Sequence, residues 1–326
     1  MGEAGVVQEF MSLLGPDTSV PVAAIKVLIG VIRSSKAATV MGMERELREV
    51  SNLLQVSHWR VEWDSVVQNN LLKYKSTISL RSGCELFQRY VTRCSFDFPD
   101  FEMCKQQVLQ RGEKFAEMSA TSRTRIAELG QASYQLSGFV RDGAVIMIYG
   151  NSRVAVGLLL KAAERAHFRI IMPEGRLAGR SDLAAAKVLN EAGIPVHVVL
   201  DTALGYFMEQ VSFCLVGAEG VVENGGIINK VGTYQMAITA KAFKKPFYVA
   251  AESYKFARLL PLNQQDLPKG RNPEADISVD DPLPEGISVS NPCCDYTPAD
   301  YITLLFTDLG VLTPSAVSDE LIMLYQ

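Results

Sequence analysis

Short apolar runs alternate with helical stretches through the second half of this 326-residue sequence. The runs are AVIMIY at 144–149, FRIIM at 168–172, PVHVVL at 195–200, SFCLV at 212–216 and PFYVAA at 246–251. Buried strands separated by helices are typical of a doubly wound, mostly parallel sheet. The pattern therefore predicts a Rossmann-like α/β domain over residues 139–326, with His197 in its core and YITLLF at 301–306 as a late strand.

The first half of the sequence has the apolar spacing of helices instead. One example is a run whose apolar residues recur at intervals of three or four, with charged residues between them: Val40, Met43, Leu47, Val50 and Leu54. This period is that of an amphipathic helix with one buried face. We therefore expect an N-terminal helical domain over residues 1–138.

Composition excludes several classes of protein. The net charge of -4 and the pI near 5.6 argue against a nucleic-acid surface, which normally carries a basic stripe. No apolar run reaches the roughly 18 residues that a membrane span needs, and the first residues lack the layout of a secretion signal. The six cysteines lack the spacing of zinc ligands. We expect a cytosolic protein with no metal and no direct contact with nucleic acid or membrane.

The segment GAEGVVENGGIINKVGT, at 217–233, is the most informative part of the sequence. It is rich in glycine, follows a predicted strand and precedes a predicted helix. Glycines let backbone amides approach a ligand, and the amides that begin the following helix form an anion site, to which Lys230 adds a charge. The segment has neither the P-loop motif nor the GxGxxG motif, which argues against ATPase and NAD-binding functions. The alternative is a tightly turned structural loop.

Polar and basic residues follow two other predicted strands. Ser152 and Arg153 come after the run at 144–149, and Arg176 comes after the run at 168–172. An arginine offers a fork of donors to phosphate, and ligand crevices in such sheets lie beyond the carboxyl ends of the strands. Serine is also a common helix cap. A cap followed by a surface arginine is therefore the alternative for Ser152 and Arg153, and a solvated loop charge is the alternative for Arg176.

At GAEGVVENGGIINKVGT the sequence resembles the family that joins regulatory subunits of the exchange factor for eukaryotic translation initiation factor two to two sugar isomerases. The isomerases act on methylthioribose phosphate and ribose bisphosphate. The resemblance covers essentially the whole chain, and ESYKFARLLPLNQQDLP and LLFTDLGVLTPSAVSDEL are similar to the alpha branch rather than to the beta or delta branch. It implies a helical N-terminal domain followed by a Rossmann-like domain, in agreement with the apolar patterns.

Two departures from the isomerases bear on activity. In those enzymes a cysteine after the first strand of this domain and an aspartate in a GAD loop are expected to move the proton between sugar carbons. Here Gly150 stands at the cysteine position and Glu219 at the aspartate position. Proton transfer needs both partners within hydrogen-bond reach, so the resemblance implies a protein that is not an enzyme. An active sugar phosphate isomerase that uses Glu219 with another acid, or a stand-alone sugar phosphate-binding protein, is the alternative.

The phosphate-holding features of the isomerases are better retained. Asn229 and Lys230 match their NK pair, and Arg176 falls where they carry an arginine. We expect a sugar phosphate or nucleotide monophosphate as ligand, with no cofactor required, in a pocket formed by Ser152, Arg153, Arg176, Glu219, Asn224, Asn229 and Lys230. The alternative is an inherited loop that only stiffens the fold.

The resemblance also implies partners. It predicts a homodimer through the C-terminal domains that bridges two sets of beta, gamma, delta and epsilon subunits, with nucleotide exchange carried by epsilon. The role of the alpha branch is to sense the phosphorylated alpha subunit of initiation factor two under stress. We expect that contact in the polar turn SSKAATVMGMERE at 34–46, with Thr39 and Met43 as candidates. The alternative for this turn is plain solvated surface.

Overall fold

A computed structural model describes residues 3–15, 18–60, 77–97, 100–132, 139–175, 182–267, 286–287 and 292–325. The chain divides into two compact units. The first unit combines Met1–Ser122 with Ser253–Arg258 and Asp319–Gln326, and the second combines Arg123–Glu252 with Leu259–Ser318. The domain boundary expected at 138/139 stays a prediction, because residues 133–138 lie outside the described residues.

Long helices form most of the first unit. In chain order they are α1 (Glu3–Leu13), α2 (Val20–Ser34), α3 (Val40–Arg60), α4 (Thr77–Asp97) and α5 (Phe101–Ala132), of which α5 continues into the second unit. The predicted N-terminal helical region is confirmed.

Helix α2 is the centre of the first unit. Ile25, Leu28 and Ile32 are fully buried, and the helix is apolar on nearly every face, as a core helix must be. It begins at Ser19, whose hydroxyl accepts a hydrogen bond from the Val22 amide at 3.4 Å. Its neighbours α3 and α4 cover it and bury apolar side chains of their own.

The strands of the chain are β1 (Ala144–Tyr149), β2 (Phe168–Pro173), β3 (Val196–Val199), β4 (Phe213–Gly217), β5 (Gly220–Val222), β6 (Ile227–Lys230), β7 (Phe247–Ala250), β8 (Phe256–Ala257), β9 (Cys294–Thr297), β10 (Leu304–Thr307) and β11 (Gly310–Leu312). Seven of them form the main sheet of the second unit in the order β11-β10-β7-β4-β1-β2-β3. Neighbours in this sheet are parallel, except that β11 runs antiparallel to β10.

The remaining helices are α6 (Arg153–Ala162), α7 (Asp182–Glu191), α8 (Leu204–Met208), α9 (Thr233–Ala242) and α10 (Val317–Tyr325). Helix α6 packs with α7, and α8 packs with α9. From β1 the strand order runs to β2 and β3 on one side and to β4, β7 and β10 on the other, which is the topology of a doubly wound sheet. The predicted α/β class and mostly parallel sheet are confirmed. Within the described helices, none has the length and apolarity of a membrane span.

The glycine-rich segment differs from its prediction. It is a β-hairpin rather than a single loop: β5 pairs antiparallel with β6, and β6 pairs antiparallel with β9. In this register Asn229 stands opposite Asp295. Three- and four-residue strands that contain glycine and asparagine have no clear alternation of apolar and polar residues, so local patterns do not predict them.

The prediction for His197 is wrong. Strand β3 is the outermost strand of the main sheet, and His197 is exposed there. Its ring contacts the ring of Phe207 edge to face, with centroids 5.3 Å apart. An edge strand has fewer covering neighbours than a central one, so an apolar run does not guarantee a buried histidine.

Candidate functional site

The candidate site lies where the direction of winding reverses, between β1 and β4. The carboxyl ends of these strands lead into Gly150–Ser152 and Gly217–Glu219. A Cβ atom added to Gly217 would lie 2.6 Å from the Ser152 Cβ atom, far inside van der Waals contact. Glycine at 217 therefore lets the two loops come together, and ligands of open α/β sheets bind in this crevice.

Ser152 is the N-cap of α6. Its hydroxyl accepts a hydrogen bond from the Ala155 amide at 3.3 Å, and Arg153 is the first residue of the helix. The capping role considered from the sequence is therefore present in the structure. It places Arg153 and the first turn of α6 at the same strand end as Ser152.

Asn224 belongs to the turn of the β5–β6 hairpin. Its side-chain oxygen accepts from the Gly226 amide at 2.9 Å, and its amide donates to the Tyr296 hydroxyl at 2.6 Å. Gly225 has φ +80°, a left-handed conformation that glycine adopts at little cost. These contacts shape the hairpin and join it to β9.

Asn229 and Lys230 end strand β6. Asn229 is buried and its side-chain amide donates to the Thr233 hydroxyl at 3.1 Å, which in turn donates to the Lys230 carbonyl at 2.7 Å. Lys230 is half-buried. A Cβ atom on Gly150 would lie 3.8 Å from the Lys230 Cδ atom, so the Lys230 stem runs past Gly150.

The start of α9 is already occupied by an acidic side chain. Asp295 Oδ2 accepts hydrogen bonds from the Gly232 amide at 2.7 Å and the Tyr234 amide at 3.0 Å. The Tyr149 hydroxyl donates to the Val231 carbonyl at 2.7 Å just before this turn. The anion site expected at the start of this helix is therefore filled by a carboxylate of the chain itself.

Asp295 is a site residue that the sequence analysis missed. It is buried, and burial raises the pKa of its carboxyl from 3.8 to about 7 even though backbone hydrogen bonds from Tyr234, Gly232 and Thr233 act in the opposite direction. Desolvation therefore outweighs hydrogen bonding here. The signal available in the sequence was an acid inside the apolar run CCDYT.

The buried thiol of Cys294 lies near the two acids of the site, Asp295 and Glu219. The hydrogen bond between Cys294 and Cys293 raises the pKa of the Cys294 thiol, and burial and the charges of Cys293, Asp295 and Glu219 add to the rise. Glu219 itself is half-buried, and its amide donates to the Ile228 carbonyl at 2.9 Å. The Cys294 thiol is thus held in its neutral form close to Glu219.

The predicted pocket residues fall into groups. Ser152 contacts Gly217, two residues before Glu219, and Lys230 passes Gly150, while Asn224 lies at the hairpin turn. Arg176 lies outside the described residues. The membership of these residues in a ligand pocket stays a prediction. Among the described residues there is no cluster of His, Cys, Asp and Glu that could hold a metal ion.

The two predicted partner-contact residues lie in the first unit. Thr39 is exposed and accepts from the Gly42 amide at 3.2 Å, at the start of α3. Met43 requires a correction, because its side chain is fully buried in the helical core and offers no surface to a partner. Met41 is 81% exposed and is the methionine of this turn that a partner can reach.

Comparison with known proteins identifies relatives along nearly the whole chain. The sequence is 44% identical to the translation initiation factor eIF2B subunit alpha of Dictyostelium discoideum, over 98% of this chain and 96% of the relative. It is 30% identical to the subunit of the same name in Caenorhabditis elegans, over 100% of both chains. A ribose 1,5-bisphosphate isomerase of Archaeoglobus fulgidus is 34% identical over 69% of each chain. The predicted resemblance to the alpha branch and to ribose bisphosphate isomerases is confirmed.

Solved structures support the fold. A chain of the tetrameric eIF2B-beta2-delta2 complex from C. thermophilum has a TM-score of 0.74 at 17% identity, covering 99% of this chain and 95% of that chain. The translation initiation factor eIF-2B of Pyrococcus horikoshii has a TM-score of 0.67 at 20% identity, covering 95% and 97%. The sequence also matches the Initiation factor 2 subunit family over residues 15–314. This chain therefore belongs to the Initiation factor 2 subunit family.

Proposed function

We propose that this chain is a non-catalytic regulatory subunit of the exchange factor for translation initiation factor two, and that it senses the phosphorylated alpha subunit of that factor. The observation that carries the proposal is the 44% identity to the Dictyostelium subunit along nearly the whole of both chains. The partners of this chain are then the beta, gamma, delta and epsilon subunits and a second copy of itself, in the cytosol.

The geometry at Gly150 supports a non-catalytic role. Isomerisation of a sugar phosphate moves a proton between neighbouring carbons with the help of an acid and a base, and Gly150 has no side chain that could act as either. Among the described residues, Cys294 has a thiol close to Glu219 that could be considered in its place. This thiol is buried, and its raised pKa keeps it neutral. A buried neutral thiol is a poor replacement for the missing cysteine.

The isomerase alternative has a direct test. The purified chain is expected to give no turnover of ribose 1,5-bisphosphate, whereas the Archaeoglobus isomerase, assayed in parallel, turns it over. Measurable turnover that disappears in a Glu219→Gln variant would contradict the non-catalytic assignment. The similarity to that isomerase over 69% of the chain makes this the second function to examine.

The ligand in this proposal is a sugar phosphate or nucleotide monophosphate held at the β1/β4 crevice. Lys230 and Arg153 supply positive charge there, and Ser152 and Glu219 line the same strand ends. The amides that begin α9 are engaged by Asp295, so the phosphate is assigned to the side of α6 and Lys230. Such a ligand acts as a regulator, and no cofactor is required.

Sensing of the phosphorylated partner is tested by titration. Labelled initiation factor two alpha, phosphorylated or not, is titrated with this chain alone and with the chain assembled with the other subunits. We expect phosphate-dependent binding that strengthens on assembly, because a regulatory subunit must distinguish two states of its partner. Absence of phosphate-dependent binding in every assembly would overturn the proposal.

A variant pair locates the contact. Met41→Ala removes a side chain that is 81% exposed in the turn at 34–46, and it is expected to weaken binding of the phosphorylated partner. Met103→Ala removes a helical methionine of the same unit that is 54% exposed, and it serves as the matched control. Equal effects of the two variants would place the contact elsewhere.

A further inference from the structure

Asp295 supplies the cap of a helix that has none of its own. The N-cap position of α9 is Gly232, which has φ +106° and no side chain to accept a hydrogen bond. Asp295, 63 residues further along the chain, accepts from the Gly232 and Tyr234 amides instead. A carboxylate at a helix N-terminus satisfies free amides and interacts favourably with the helix dipole.

The capped turn is next to Lys230, which supplies positive charge to the candidate anion site. Lys230 directly precedes it, and the Lys230 carbonyl accepts from Thr233, the first residue of α9. A Cβ atom on Gly232 would lie 2.7 Å from the Tyr149 ring, so the turn is also pressed against the end of β1. The position of Lys230 beside Gly150 therefore depends on how this turn is held.

The second carboxyl oxygen of Asp295 determines how costly it is to bury this residue in its ionised form. Asp295 Oδ1 is buried and has no hydrogen-bond partner among the described residues, and the residue is only 8% exposed. An ionised carboxylate with an unsatisfied buried oxygen is costly, and a proton on that oxygen removes the cost. A protonated Asp295 still accepts both amides through Oδ2.

The titratable and charged groups around Asp295 come from several elements. Cys294 and Cys293 lie on or next to its own strand, Lys230 lies opposite Cys294 on β6, Glu219 follows β4, and the Tyr234 phenol begins α9. The pKa of the Asp295 carboxyl is raised to about 7, with burial as the largest cause and the backbone hydrogen bonds from Tyr234, Gly232 and Thr233 acting against it.

We propose that Asp295 is a positioning residue of the anion site, and that its protonation couples anion binding to pH. The inference rests on the proposed ligand site. Ionised Asp295 adds a negative charge at the turn that follows Lys230, and this charge repels an anion bound nearby, whereas neutral Asp295 adds none. Anion binding therefore strengthens as pH falls.

Sulfate is the probe, because its charge does not change near neutral pH, unlike that of a phosphate monoester. Its affinity is measured by calorimetry at about pH 6 and about pH 8. Binding that is lost in a Lys230→Met variant is attributed to the proposed site. Wild-type protein is expected to bind sulfate roughly fivefold or more tightly at the lower pH. Asp295→Asn keeps the acceptor for the two amides but does not titrate, and is expected to bind equally at both.

The matched control is Asp266→Asn. Asp266 also accepts two backbone amides, those of Leu262 and Asn263, but its side chain is exposed. This variant is expected to keep the wild-type pH profile. Asp295→Ala, which lacks the acceptor, is expected to lose sulfate affinity at both pH values, whereas Asp295→Asn, which keeps the acceptor, is expected to retain it at both.

The failures of the two ideas are distinguishable. If wild-type protein binds no sulfate, or if Lys230→Met leaves binding unchanged, the proposed anion site is wrong and this inference is lost with it. If sulfate binds at the site with the same affinity at both pH values, or if Asp295→Asn keeps the wild-type profile, the site stands and the role of Asp295 is overturned. The wild-type profile alone decides the matter if the variants do not fold.

Discussion

At the scale of single residues, glycines determine how closely the strand ends of the site approach each other. Gly217 gives space to the side chain of Ser152, and Gly232 gives space to the ring of Tyr149. In both cases the neighbouring atoms belong to side chains that have another task, as a helix cap or as a hydrogen-bond donor. The geometry of the site thus depends on these glycines as much as on its polar side chains.

Gly217→Ala should destabilise the protein by about 2 kcal/mol, because the added methyl group overlaps Ser152 and forces the cap of α6 to move. The matched control is Gly205→Ala in α8, where an added Cβ meets no atom within 4 Å. That change should stabilise the protein by about 0.5 kcal/mol through helix propensity. Urea denaturation measures both, and equal values would contradict the overlap.

Asp295 also predicts how stability depends on pH. The pKa of its carboxyl rises from 3.8 to about 7 on folding, so the folded state binds this proton more tightly than the unfolded state. The stability that this proton contributes is fully present below pH 3.8, the pKa in the unfolded state, and is lost as pH rises through about 7, the pKa in the folded state. Between about pH 5 and pH 8 this loss amounts to roughly 3 kcal/mol in the free energy of unfolding.

The Asp295→Asn variant isolates that contribution. It should match wild-type stability near about pH 5, where Asp295 is neutral, and exceed it near about pH 8, where wild-type protein must bury a charge. Thermal or chemical unfolding at both pH values measures the difference. Parallel curves for the two proteins would mean that the carboxyl does not titrate in this range.

The sequence predicted the polar residues of the site better than their roles. Ser152 was recognised as a candidate cap, and the structure shows that cap. Asn229 was chosen as a ligand residue, yet its amide donates to Thr233. Asp295 was missed because it reaches Gly232 across 63 residues of sequence, and such a contact leaves no trace in local spacing.

At the scale of elements, a buried ion pair holds the second half of α5 within the second unit. Arg123 Nε lies 3.1 Å from Glu252 Oε1, and the Glu252 side chain is only 1% exposed. Glu252 directly follows the buried end of β7. The arginine thus supports a carboxylate that burial alone would make costly.

Removing the Arg123 side chain should lower the stability of the protein markedly. Arg123→Met is expected to lower the free energy of unfolding by about 3 kcal/mol or more, because it leaves Glu252 buried without its ion-pair partner. Arg33→Met is the control: Arg33 and Glu113 approach to 2.6 Å, but their side chains are 65% and 54% exposed. Its cost should be about 1 kcal/mol or less. Similar costs would show that burial does not matter to the pair.

Elements with a strong local signal were predicted and weak ones were not. The run at 144–149 is β1, and those at 168–172 and 212–216 match β2 and β4 within one residue at each end. Long apolar runs specify central strands because both faces are covered. The β5–β6 hairpin depends on pairing with β9, which is far away in the sequence, so no local pattern predicts it.

At the scale of the whole molecule, the main sheet leaves an apolar edge. Val198 and Leu200 at β3 are 39% and 56% exposed, and Tyr206 nearby is 82% exposed. Exposed apolar side chains on an unpaired edge strand favour association with another protein surface. This edge is where we expect the second unit to contact a second copy of the chain in the proposed homodimer.

Tyr206→Glu should therefore shift the chain toward the monomer, because it places a charge in an apolar contact. Analytical ultracentrifugation over a range of concentrations measures the shift, expected to be tenfold or more in the dissociation constant, roughly the effect of one contact residue. Met41→Glu, which alters a side chain 81% exposed in the first unit, is the control. Dimers that tolerate the change at Tyr206 would exclude this edge as the interface.

Gly150 bears on how this branch of the family can change. Among the described residues, an added Cβ would meet only the Lys230 stem, at 3.8 Å, which is ordinary van der Waals contact. The obstacle is the backbone, whose φ of +80° costs a non-glycine residue about 1–2 kcal/mol. A mutation that introduced a thiol at this position would thus lower stability. A side chain can be supplied here without that cost only if a second change relieves the backbone.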